Sequence, residues 1–557
     1  MWTLKNIGMA AALVLASCAA CAADVWAPPQ KKIIAYSWDI GSVPEPERMQ
    51  EHADLLDMTG LDGIVVPLPM AKCPDGKMRR LSWEAMSSDF VTEEMLGPYV
   101  LPYKNMTSRH KAFKESFLGC SWSPLATNRL VWTDDAAWAK FTANMKEVSS
   151  LARRAGFVGV QVDPEDYGKK RQFSWAFDDP PQVETLRIAR ARGRQIGKAM
   201  FDEFPSMKLL SFWLLSLDKS YARSSDAAAT MRGCGDLWPM FVNGLLDVAP
   251  AGVVFIDGDE HAYDYRAGRH DFTESNLRQL TSGLALIAPE NRAKWRTQAR
   301  VGFGLWLDQY TWPEDREGAC LAKSGSRLEA LRENLKEALH ASDEYVWLFG
   351  CRQRWVKWRD FRPVCAYMKI GEETWEEKLP GLSKMLCEVK NPKVEINARL
   401  AEFRSSGARN LLKQALNKNS SKWQDKSSCG TFKTMPGKGT DSGTLLSAEG
   451  VSYGCFLLKL GDVKPGDVFY AEAFVRGNGA GGAWLRWEKA GKTQQSAECV
   501  NEAFGEPDAY GWRRMVAKTP PAPEGMTGLS LKIFVKQKPG EKVELDRAAV
   551  FKSDSAR

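Results

Sequence analysis

From Lys32 onward, short runs of β-branched, aromatic and aliphatic residues alternate with longer stretches whose apolar positions recur at helical spacing. The runs Lys32–Trp38, Gly63–Leu68, Val158–Val162, Leu209–Leu215, Gly252–Ile256, Val301–Leu307 and Tyr345–Phe349 read as strands. Asp134–Ala155, Pro181–Phe204, Ser275–Ala299 and Ser326–Ala341 read as helices, the first behind Asp134 as a cap. Repeated strand–helix units predict an α/β domain with a parallel sheet, and a (β/α)8 barrel over residues 31–390 fits best. The eighth strand, third in order, must fall within the long segment 71–133, where the run Phe117–Trp122 is the candidate. A long insertion between strands two and three would then overhang the open end of the barrel.

The pattern changes after residue 390. Residues 391–428 are polar and suggest a helix followed by a linker. Residues 429–557 contain short alternating runs, GCFLLKL, VFYAEAFVRG, GAWLRWEKA, LSLKIFVKQ and VELDRAAVFK, split by Gly and Pro turns. These predict an antiparallel β-sandwich. Trp484 and Trp487 lie three positions apart, so they cannot share one side of a regular strand.

The N-terminal residues 1–23 carry one Lys, an apolar run from Ile7 to Leu15 and then small residues, the form of a secretory signal rather than a membrane span. Leu15-Ala16-Ser17-Cys18 resembles the lipobox of bacterial lipoproteins, with a lipid on Cys18, whereas Ala20-Cys21-Ala22 suits ordinary cleavage. Export follows from either route, to the outer membrane or cell surface as a lipoprotein, or to the periplasm or medium. Any membrane attachment would come through the lipid at Cys18.

With 76 basic and 69 acidic residues the net charge is +7, and no basic stripe marks a phosphate track, so nucleic acid is not an expected partner. Cysteines beyond the leader form no C-x-x-C pair and only five His occur, so neither a metal nor another cofactor is expected. Export makes some disulfides plausible. The 21 Trp are more than a core alone requires; large barrels simply carry many Trp, and exposed indole faces would also serve for stacking on sugar rings.

A parallel barrel places its active site at the C-terminal ends of the strands, and carboxylates gather there. Strand one ends in Trp38-Asp39, strand four in Asp163-Pro164-Glu165-Asp166-Tyr167, strand six in Asp257-Gly258-Asp259-Glu260, and strand seven in Trp306-Leu307-Asp308-Gln309-Tyr310 with Trp312 beyond. Trp213 and Trp347 lie on strands five and eight, and Glu344, which precedes its strand, belongs at the opposite rim. Convergent carboxylates with interleaved aromatics suit sugar hydrolysis, in which one carboxyl protonates the leaving oxygen and another attacks or activates water. Glu165 is the first choice for the acid, with Asp257, Glu260 or Asp308 as its partner and Asp163 beside it. Trp38, Asp39, Tyr167, Trp213, Asp259, Trp306, Tyr310, Trp312 and Trp347 are candidates for holding the substrate. Asp257, Asp259 and Glu260 also have the composition of a Ca2+ loop.

On these residues the chain resembles TIM-barrel glycoside hydrolases, with the phrase Gly156–Glu165 resembling several fourth-strand ends. A chitinase-like assignment implies Glu165 as the acid and Asp163 as its neighbour, although Val158 and Gln161 occupy the motif's upstream acidic positions. A retaining-clan assignment implies Glu165 with Asp308, and an α-galactosidase-like one Asp163 with Asp257. The sandwich resembles carbohydrate-binding modules. Both resemblances imply a polysaccharide or oligosaccharide partner. The rival reading is a surface glycan-binding lipoprotein on a barrel without catalysis.

Overall fold

A computed structural model describes residues 30–553 except 73–75, 87–90, 124–128, 167–169, 217–218, 321–325, 366, 415–429, 441–442 and 494–499. The chain forms two compact units, divided between Lys390 and Asn391. The leader, Cys18 and Tyr167 lie outside the described residues.

The first unit is a closed barrel of eight parallel strands: β1 Lys32–Ser37, β2 Gly63–Pro67, β3 Phe117–Ser121, β4 Gly159–Asp163, β5 Lys208–Ser211, β6 Val254–Asp257, β7 and β8 Tyr345–Gly350. β7 comprises Ala299–Val301 and Phe303–Trp306, interrupted at Gly302. Its first half pairs with β6 and its second with β8, and β8 pairs with β1 to close the cylinder. At the break the Gly302 N–H donates to the Asp257 carbonyl at 2.7 Å. A Cβ there would lie 3.0 Å from the Tyr345 carbonyl, so glycine permits the close approach.

The barrel interior is filled by Ile34, Val65, Phe117, Leu210, Phe212, Ile256, Tyr345 and Trp347. A larger apolar layer joins the outer faces of the strands to the helices. Asp134 caps the helix Asp135–Arg154 by accepting from the N–H groups of Ala136 and Ala137. The helix Gln182–Glu203 crosses Trp238–Val248 at glycines: a Cβ on Gly193 would meet the Phe241 carbonyl at 2.1 Å.

All eight strands lie where the hydrophobic runs place them, with two instructive departures. β5 ends at Ser211 rather than Leu215, because the Asp257 carboxylate takes the N–H groups of Leu214, Leu215 and Ser216 and bends the chain out of the sheet. The expected helix Ser275–Ala299 is broken into Asp271–Leu280 and Arg292–Gln298, joined by 3-10 turns ahead of and at Pro289. The seven cysteines that are placed are free thiols, so no disulfide joins them. No helix among the described residues is long and apolar enough to cross a membrane.

The second unit packs a five-stranded sheet, including Phe469–Gly477 and Lys542–Lys552, against a second antiparallel sheet containing Gly454–Gly461, Gly528–Val535 and Ala480–Lys489. The helix Pro392–Ser405 belongs to this unit. Its Ile396, Leu400 and Phe403 pack on Tyr470, Val516, Ala549 and Phe551. Trp487 is buried between the sheets, while Trp484 points outward against Phe534 and Arg486.

Candidate functional site

The C-terminal ends of the strands open into a cavity of about 630 Å3. Its floor takes Gln161 and Asp163 from β4 and Phe212 from just beyond β5, with Tyr36, Trp306 and Phe349 from β1, β7 and β8. Glu165 and Glu260 reach it from the loops after β4 and β6. The excursion between β2 and β3 adds Arg80, Ser82 and Trp83, as an overhanging insertion should. Tyr263 stacks on Phe349, and Trp38 meets Phe349 edge-on, so the acids sit in an aromatic surround.

A second cavity of about 300 Å3, lined by Trp213, Trp238 and Asp236 among others, adjoins Glu165. Glu165 is the residue that lines both cavities. Its position is fixed locally, since its own N–H donates to Asp163 Oδ1 at 2.9 Å immediately after Pro164.

The acids of the first cavity influence one another. Burial, then the charges of Glu165 and Asp163, push the Glu260 carboxyl up to about 8, against a contribution from Tyr263 that favours its ionised form. Burial and the Glu165 charge push Asp163 up to about 7, although the Glu165 N–H favours its charge. Desolvation and like charges both disfavour ionisation, so this cluster retains a proton at neutral pH.

The remaining candidates are placed differently. Asp257 accepts from the N–H groups of Leu214, Leu215 and Ser216 at 2.6 to 3.0 Å and braces the β5 and β6 ends. Asp39 ties β1 to the segment after β8, accepting from the Trp355 N–H and Trp358 Nε1, each at 2.8 Å. Asp308 accepts from Trp306 Nε1 and the Cys351 N–H, each at 2.9 Å, orienting two residues that line the cavity from behind its wall. Asp259 adopts a left-handed conformation, φ 37°, and is held by Ser275 and Tyr265.

Among the aromatics, Trp38 and Trp306 line the first cavity and Trp213 the second. Trp347 is buried one layer deeper, stacked on Phe212 at 4.3 Å, with Nε1 donating to the Gly258 carbonyl. Tyr310 is buried against Asn334, and Trp312 lies beside Trp306 with Arg316 stacked on it. Among the described residues, the cluster with metal-ligand spacing is Asp54, Asp57 and His110, away from this cavity's lining.

Sequence reasoning missed several lining residues. Gln161 is 2% exposed, and its Nε2 has no partner among the described residues although it lines the cavity. A polar residue inside an otherwise apolar strand is the signal that could have marked it. Tyr36, Tyr263 and Phe349 carried none beyond being aromatic.

No family model matches the chain, and no curated protein matches it. Distant structural neighbours include glycoside hydrolases and carbohydrate-binding modules. An arabinose-bound α-L-arabinofuranosidase, MgGH51, aligns with TM-score 0.18 and 13% identity over 26% of this chain and 26% of its own. A Clostridium thermocellum endo-1,4-β-D-xylanase fragment with CBM22-1 and GH10 modules, complexed with xylohexaose, aligns with TM-score 0.18 and 13% identity over 26% and 28%. The carbohydrate-binding module TmCBM61, in complex with β-1,4-galactotriose, aligns with TM-score 0.19 and 14% identity over 26% of this chain and 100% of its own. The alignments thus span about a quarter of the length of the two enzymes.

Proposed function

We propose that the barrel hydrolyses glycosidic bonds of a polysaccharide or oligosaccharide through the carboxyl groups of Glu165 and Glu260. The observation that carries this reading is the pair's setting: two carboxyls with Asp163 in one aromatic-lined cavity, one of them pushed up to about 8. A general acid must hold its proton at working pH, and Glu260 meets that condition. Glu260 transfers its proton to the glycosidic oxygen as that bond breaks. Glu165 acts on the anomeric carbon directly, or removes a proton from the water that attacks it. Asp163 positions the Glu165 backbone and adds the negative charge that keeps Glu260 protonated.

Aromatic faces around the carboxyls suit stacking on sugar rings, and the second cavity gives room for a sugar on the other side of Glu165. The sandwich serves as a carbohydrate-binding module, with Trp484 among its outward aromatics.

The test is release of reducing ends from a polysaccharide panel by wild type, Glu165→Gln and Glu260→Gln, followed by aryl glycosides of the sugar so identified. Loss of release in both variants, with Glu260→Gln recovering on aryl glycosides with good leaving groups, is the expected result. Cleavage unaffected by both substitutions overturns the assignment. Binding without release by wild type favours the non-catalytic glycan binder.

A further inference from the structure

The excursion between β2 and β3 brings to the cavity a group that the proposed chemistry does not use. Arg80 lines it, half-buried, with its guanidinium donating to the Gly41 carbonyl and lying 5.1 Å from the Trp83 ring centre. Among the described residues no carboxylate lies within ion-pair distance of Arg80. A guanidinium carries five N–H donors in a fork that matches planar or tetrahedral anions. Most of that fork is unanswered here.

Two positions along, Ser82 is 6% exposed, lines the same cavity, and its Oγ has no hydrogen-bond partner among the described residues. A buried hydroxyl without a partner is costly, so two neighbouring donors at one wall mark a missing acceptor. Burial works against the charge on Arg80 and the Glu45 carboxylate works for it, whereas the charges acting on Glu260 come from Glu165 and Asp163.

We infer that Arg80 and Ser82 form a subsite for an anionic substituent on the sugar, a uronate carboxylate or a sulfate ester, with Trp83 backing the guanidinium. The inference rests on reading the cavity as a saccharide site, and it names the substrate class as acidic glycans. Lysine would not replace Arg80, because it supplies a point charge in place of the fork.

The experiment measures binding of full-length Glu165→Gln protein to polygalacturonate, alginate, chondroitin sulfate and carrageenan, beside neutral xyloglucan, arabinan and galactomannan, in affinity gels. Cleavage by wild type is measured on the same panel. At least one acidic polymer should be retained, with affinity falling roughly tenfold or more in the added Arg80→Met variant and in part in Arg80→Lys. Carboxyl reduction of the retained polymer abolishes binding if the anion is a uronate, and desulfation abolishes it if the anion is a sulfate.

Selective binding or cleavage of neutral polymers overturns the inference while leaving the hydrolase reading intact. So does an equal effect of Arg80→Met on neutral and acidic polymers, or a failure to retain any acidic polymer. Arg80-dependent retention of an acidic polymer that wild type never cleaves leaves the subsite standing and overturns hydrolysis.

Discussion

The two ends of the barrel hold partly buried acids in opposite electrostatic settings. At the N-terminal ends, Lys32 and Lys208 both donate to Glu344 at 2.8 Å, and Lys32 also meets Glu115 at 2.6 Å. Burial works against the charge on Glu344, yet the ammonium groups of Lys208 and Lys32 outweigh it and hold the carboxyl below its usual range. At the C-terminal ends burial works in the same sense, but the neighbours are Glu165 and Asp163, and Glu260 rises to about 8. Burial acting in the same sense, with opposite company, yields a structural clamp at one end and a proton reservoir at the other. Perturbed carboxyls in a cleft are the usual mark of a functional site, whereas paired ones more often hold a fold together.

This contrast breaks most visibly under exchange of carboxylate for amide. Glu165→Gln should lower kcat by about 10²–10⁴-fold with the melting temperature nearly unchanged, as read by reducing-end release beside calorimetry. Glu344→Gln should do the reverse. It leaves Lys32 and Lys208 short of a charged acceptor and costs about 1–3 kcal/mol of stability, seen in denaturant unfolding, with kcat kept at temperatures where the variant is folded.

The pH dependence sharpens it further. Glu260 binds its proton more tightly in the folded state than at its ordinary value of 4.5, so the native protein holds more protons between that value and about 8, and stability falls as pH rises through this window. Glu260→Gln should flatten that slope in melting curves and remove the matching alkaline limb of activity. Glu344 has the opposite sign: its folded value is depressed, so its contribution is present above the ordinary value and is lost as pH falls below it. Glu344→Gln should soften the acid limb alone. The smallest effect is expected in the sandwich, where Trp484→Ala removes a 38% exposed side chain and should weaken polysaccharide retention with little change in stability.

The barrel was legible because its strands are covered on both faces and form short apolar runs, and the strand ends pointed to the rim at which the larger cavity opens. Glu344 was assigned to the far rim simply because it precedes its strand. What the chain could not disclose is how each acid is used. Asp257 and Glu260 stand three residues apart in one acidic loop, yet one satisfies backbone N–H groups across the β5 turn and the other faces the cavity. That difference depends on where β5 leaves the sheet, which itself depends on Asp257. Trp347 and Trp306 likewise differ in depth by a packing layer that no local pattern encodes. Arg80 and Ser82 were invisible because they belong to an irregular excursion whose path is set by tertiary packing.

The central claim, that the clustered acids around the upper cavity keep a proton at neutral pH, is tested most directly by infrared titration of the carboxyl C=O band in the full-length protein. The account predicts a protonated-carboxyl signal that persists at pH 7, disappears as pH passes about 8, and is clearly reduced in Glu260→Gln, where Asp163, pushed up to about 7, still contributes. Complete ionisation of every carboxyl by pH 6, or a neutral-pH signal untouched by Glu260→Gln, would contradict it.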